Sequence, residues 1–133
     1  MKNILFLFLA VLTAATSVSG QTDSTTVITN LSADQFKKGI EHDKTAVIID
    51  LRTDAEIEKG KIPGAVQIDY LGKSFDSQMS ALDKNKTYYI YCQSGGRSAD
   101  AAGYMEKQGF KKIINLEKGY SDWKTKGFPV DKK

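Results

Sequence analysis

From position 26 onward, short apolar runs alternate with amphipathic stretches, and the alternation predicts strands and helices in turn. Thr-Val-Ile-Thr at 26–29 reads as a short strand. Ser32-Ala33-Asp34-Gln35 is a capping box, in which the first and last side chains each satisfy the other's free backbone amide. It opens a helix over 33–41 with Phe36 and Ile40 on one face. Positions 46–51 (Ala-Val-Ile-Ile-Asp-Leu) form a near-continuous apolar run, as expected of a central parallel strand covered on both sides. Thr53-Asp54-Ala55-Glu56 is a second capping box, followed by one or two helical turns to Lys59 and a stop at Gly60. After the turn Ile62-Pro63-Gly64, a strand is predicted over 65–68, a helix over 75–82 and a strand over 87–91. A helix over 98–108, a strand over 112–116 and a helix over 120–126 complete the order. Strands and helices alternating over this length predict a three-layer α/β domain around a mostly parallel sheet.

The chain before this alternation has a different pattern. Lys2 precedes an unbroken apolar run over 4–12, and 13–20 turns small and polar, with Val18 and Gly20 ahead of Gln21. This is the order of an export signal, so residues 1–20 are read as a signal peptide cleaved before Gln21. The apolar run falls far short of the ~20 residues that span a bilayer. Residues 21–26 form a polar leader, and the expected location is periplasmic or secreted.

The remaining length suits one domain. The formal charge of +3 drops to +2 without Lys2, because no acidic residue lies before Gln21. Scattered lysines and this modest balance argue against a nucleic-acid partner. Lys37-Lys38 and Lys111-Lys112 read as solvated faces. The single histidine, His42, lies in a polar turn and reads as a surface residue. With one histidine and one cysteine, no metal site is expected.

That cysteine carries the candidate chemistry. Cys92 follows the strand 87–91 and precedes Gln93-Ser94-Gly95-Gly96-Arg97-Ser98 and a helix. A cysteine there faces loop amides and the positive end of a helix dipole, which favour thiolate over thiol. In open parallel sheets, ligands sit at the carboxyl ends of strands, where Cys92 falls. Gly95 and Gly96 are read together as the residues that let the loop bend into a cradle. The chain has two arginines, Arg52 and Arg97, and both lie in motifs. A guanidinium fork suits bidentate contact with an anion or a carboxylate. Arg97 is read as an anion-binding residue in preference to a carboxylate partner, and Arg52, near Asp50 and Glu56, as a structural ion-pair partner.

Four motifs in order resemble those of a rhodanese domain: Asp50-Leu51-Arg52; Glu56 and Gly60 with Ile62-Pro63-Gly64-Ala65; Tyr91-Cys92 through Ser98; and Gly119, Trp123, Gly127 with Pro129-Val130. Lys61 stands where that pattern usually has histidine. The resemblance covers nearly all of 27–133. It implies a rhodanese-like fold, a five-stranded, mostly parallel sheet flanked by helices in three layers. It also implies a sulfurtransferase without a cofactor, of the single-domain exported type. Cys92 would accept a sulfane sulfur from a small anionic donor such as thiosulfate and pass it to cyanide or a thiol. The loop from Gln93 to Ser98 would bind substrate, with Asp50, Arg52 and Glu56 in support. A monomer is expected, with a protein thiol as an alternative acceptor. Thiosulfate-active relatives often carry a second basic residue directly after the cysteine, where this chain has Gln93, which weakens the case for thiosulfate relative to a low-molecular-weight persulfide. Cysteine phosphatases place five residues between cysteine and arginine. Here four intervene, Gln93 to Gly96, too short a loop to surround phosphate. The remaining alternative is a rhodanese-like module that binds a protein partner or carries a persulfide to it without turnover.

Overall fold

Strands β1 (Val27–Leu31), β2 (Val47–Asp50), β3 (Val66–Gln67), β4 (Thr87–Tyr91) and β5 (Lys112–Leu116) alternate with helices α1 (Ala33–His42), α2 (Asp54–Ile57), α3 (Phe75–Ser80), α4 (Gly96–Lys107) and α5 (Gly119–Thr125). They belong to a computed structural model that describes residues 25–132 and, ahead of them, Ala15. Apart from Ala15, the export signal predicted over 1–20 lies outside the described residues, as do positions 21–24 of the leader. The sheet order is β1-β5-β4-β2-β3, with every neighbouring pair parallel. The α/β architecture with a five-stranded parallel sheet is as expected.

Boundaries shift where tertiary pairing overrides local pattern. β1 continues through Asn30 to Leu31 because it pairs in full with β5, and Asn115 Nδ2 donates to Asn30 Oδ1 at 3.0 Å across the two strands. β3 shrinks to two residues at the sheet edge. The helix predicted from 98 begins at Gly96, so Arg97 and Ser98 belong to its first turn.

The alternation along β4 divides the core. Tyr88, Ile90 and Cys92 pack with Ile49, Leu51, Met105 and Phe110 on one face of the sheet. Tyr89 and Tyr91 pack with Phe36, Leu116 and Trp123 on the other. Trp123 and Phe128 meet edge to face at 5.2 Å.

Candidate active site

Parallel pairing of β2 with β4 sets Asp50 beside Tyr91. Two residues further along each chain, Arg52 and Gln93 therefore become neighbours at the carboxyl end of the sheet, and Arg52 Nη1 donates to Gln93 Oε1 at 3.1 Å. Arg52 Nε and Nη2 donate to the two oxygens of Asp50 at 3.0 and 2.8 Å. Arg52 Nη2 also reaches the Gly60 carbonyl at 2.8 Å. The Tyr91 hydroxyl donates to Asp50 and accepts from the Ile62 amide. Burial, with Asp50 adding to it, pushes that phenol far above its ordinary range, so it remains a donor. Asp50 and Arg52 are 0% and 1% exposed, and the Arg52 guanidinium lies 4.0 Å from the centre of the Tyr120 ring. This pair is a floor beneath the loop.

Cys92 is 1% exposed and opens that loop. Its Sγ accepts from the amides of Gly95 at 3.1 Å and Ser98 at 3.4 Å, and the Ser98 hydroxyl lies 3.5 Å away. Burial pushes the thiol up. The Ser98 hydroxyl and the amides of Ser98, Gly95 and Ser94 pull it down, and the net effect is below its ordinary value. The first turn of α4 adds the positive end of its dipole. The arrangement can therefore hold the Cys92 sulfur as a thiolate.

The loop is seated from below by the β5–α5 turn. The Tyr120 amide donates to the Cys92 carbonyl at 2.8 Å, and the Ser121 amide to that of Gln93 at 3.0 Å. Gly119, with φ of +69°, approaches so closely that an added Cβ would lie 2.6 Å from the Gln93 carbonyl. In the sequence Gly119 stands within a motif but its seating role, and those of Tyr120 and Ser121, are not visible. A glycine shortly after the strand 112–116 was the available signal. The two loop glycines also divide: Gly95 has φ of +107°, whereas Gly96 has an ordinary φ and no atom within 4 Å of an added Cβ. The cradle thus requires Gly95. The expectation that Gly96 shares this role is corrected, because Gly96 is already the first residue of the helix.

Arg97 is directed differently from its expected anion-binding role. Its Nη1 and Nη2 donate to the two oxygens of Glu56 at 2.9 and 2.7 Å, the carboxylate alternative weighed for it. Glu56 Oε2 also accepts from the Thr53 amide and hydroxyl at the start of α2. These contacts, Arg97 foremost, lower the Glu56 carboxyl to about 2 against the opposing effect of burial. Its contribution to folding is therefore complete above about pH 4.5 and is lost as pH falls toward 2. For a partly exposed pair this is roughly 1 kcal/mol. Urea unfolding should show Glu56→Gln less stable than wild type at about pH 6, with the gap closing toward about pH 3. An unchanging gap would assign the loss to the cap alone.

All predicted site residues thus meet at one end of the sheet. Ser94 is exposed at the loop tip, and its neighbours turn inward. The same span is what known proteins share with this chain. A putative sulfur carrier protein of Bacillus subtilis is 42% identical over 99 residues, 74% of this chain and 52% of that protein, so the chain spans about half its length. A sulfurtransferase of Allochromatium vinosum is 30% identical over 104 residues, 78% of this chain and 95% of the other. The crystal structure of a rhodanese-like domain protein from Staphylococcus aureus superposes with a TM-score of 0.68 at 31% identity, over 79% of this chain and 98% of that one. The family model of the rhodanese-like domain matches residues 32–126, from the cap of α1 through α5 and including the Cys92 loop, and the chain belongs to that family.

Proposed function

We propose that the protein is a sulfurtransferase in which Cys92 is the nucleophile. The observation that carries this is the Cys92 sulfur itself, buried yet accepting from the Gly95 and Ser98 amides. Such donors stabilise the anion before the reaction and the persulfide anion after it. With thiosulfate, the Cys92 thiolate attacks the outer sulfur, the S–S bond breaks, and sulfite leaves with the electron pair. Cyanide or a thiolate then attacks the terminal sulfur, and the electron pair returns to Cys92. The names of the relatives support sulfur transfer as the class of activity.

Intact mass tests this directly. Reduced protein exposed briefly to thiosulfate should gain one sulfur atom, lose it to cyanide, and gain none as Cys92→Ser. A folded protein with a free thiol and no gain would remove thiosulfate as donor. A second reading, carriage of the persulfide to a protein thiol, is favoured by the similarity to a putative sulfur carrier protein. It predicts a stable persulfide that small acceptors discharge slowly. The proposal includes export, supported by the positive start, the apolar run over 4–12 and the small residues before Gln21. Protein recovered from the cell envelope should then begin at Gln21, and an intact Met1 would count against it.

A further inference from the structure

Beside the Cys92 loop lies a cavity of about 210 Å³ lined by Arg52, Glu56, Lys59, Gln93, Tyr120 and Lys124. It is smaller than the ~300–1,000 Å³ usual for drug-sized ligands, which suits a small molecule. Its walls hold polar groups whose needs are unmet. Arg52 has five N–H donors. Four of them are taken, by Asp50 twice, by Gly60 and by Gln93, which leaves one on Nη1. Tyr120 is 3% exposed, and among the described residues its buried hydroxyl has no partner. Such orphaned groups cost stability unless something supplies the missing contact. The cavity's one carboxylate, Glu56, is already neutralised by Arg97. Lys59 and Lys124 are exposed, and among the described residues neither forms an ion pair. The uncompensated charge of the cavity is therefore positive, beside a loop whose own residue after the cysteine, Gln93, is neutral.

We propose that this cavity is a subsite for the carboxylate of a low-molecular-weight thiol that takes the sulfur from Cys92. The proposal rests on the sulfurtransferase reading. The carboxylate meets Lys59, Lys124 and the spare Arg52 donor, and the rest of the ligand crosses the Glu56–Arg97 rim toward the loop. The acceptor thiolate attacks the terminal sulfur of the Cys92 persulfide, that S–S bond breaks, and Cys92 leaves as thiolate while the acceptor departs as a persulfide. Gln93, held by Arg52 and by Ser121, is the loop residue that lines the cavity and joins it to Cys92.

Amide NMR of the labelled protein tests the subsite with 3-(methylthio)propionate, a carboxylate that cannot exchange sulfur, and with its neutral counterpart 3-(methylthio)propan-1-ol. The carboxylate should shift the Gln93 side-chain amide and the backbone amides of Lys59, Gly60 and Tyr120 saturably. The alcohol should bind weakly or not at all, and the Lys59→Gln/Lys124→Gln variant should bind the carboxylate about fivefold more weakly. Both lysines are exposed, so the variant retains its fold. In turnover, KM for 3-mercaptopropionate should fall below that for 3-mercaptopropan-1-ol, and the difference should shrink in the variant. Equal binding of the two thioethers, or unweakened binding by the variant, overturns the subsite. Equal KM values overturn its role with the acceptor. Because the thioethers need no persulfide, failure of Cys92 to gain sulfur would be seen separately, as a missing mass increase with carboxylate binding intact.

Discussion

Asp50→Ala should destabilise the protein by about 3–5 kcal/mol, a large share of the ~5–15 kcal/mol that holds a typical domain together. Asp50 is the acceptor around which the floor of the site is built. It receives Arg52 through Nε, Nη2 and the backbone amide, and it receives the Tyr91 hydroxyl. Its removal leaves a guanidinium that is 1% exposed with no counter-charge, and a buried phenol with no acceptor. A buried charge stranded in this way costs more than the intact pair contributes, because water entering from the cavity side does not replace the carboxylate at Nε and Nη2. The double variant Asp50→Leu/Arg52→Met should therefore recover part of the loss. It removes the stranded charge, and leaves the Gly60 carbonyl and the Gln93 side chain without their donor and the Tyr91 hydroxyl without its acceptor. Urea unfolding at neutral pH checks both. A single-variant cost under about 1 kcal/mol, or a double variant worse than the single, would show that the pair is not what supports the loop.

Why this pair could be expected, but not its reach, follows from where each contact comes from. Features that depend on neighbours along the chain were legible. The box at Ser32 and Gln35 caps α1, the apolar run 87–91 is β4 residue for residue, and Cys92 lies at a strand end before a helix. Features that depend on which strands are adjacent were not. The destination of Arg97 depends on β2 lying beside β4, which brings α2 up to the loop, and no spacing in the sequence encodes that. The Tyr91 hydroxyl was equally hidden, since an apolar run shows the ring and not the partner that the register supplies. The support from Gly119 comes from a turn distant in sequence, brought under the loop by β5 pairing with β4. Gly95 and Gly96 are alike in sequence and differ only in φ and in what surrounds them.

That difference makes Gly95→Ala the sharpest test of how the loop works. At φ of +107°, alanine is strained by about 1–2 kcal/mol whatever the space around it. Here there is also no space: an added Cβ would lie 2.1 Å from the Glu117 carbonyl oxygen, a backbone atom of the β5–α5 turn that has no rotamer with which to yield. The loop must lift away from the turn. The motion withdraws the Gly95 amide from Cys92 Sγ and the Gly95 carbonyl from the Ser98 hydroxyl. Loss of one donor to a developing anion typically costs 10²–10³ in rate, so in the proposed reaction sulfur uptake by Cys92 should fall by at least about 100-fold. The thiol should also titrate at higher pH than in wild type, because the amide that lowered it has moved. Gly96→Ala is the control. Its Cβ meets nothing within 4 Å and its φ is ordinary, so stability should stay within about 0.5 kcal/mol of wild type and sulfur uptake near normal. If both substitutions are equally damaging, the loop needs flexibility at its two glycines. If Gly95→Ala alone fails, the cradle is a rigid one, held in shape by the turn beneath it.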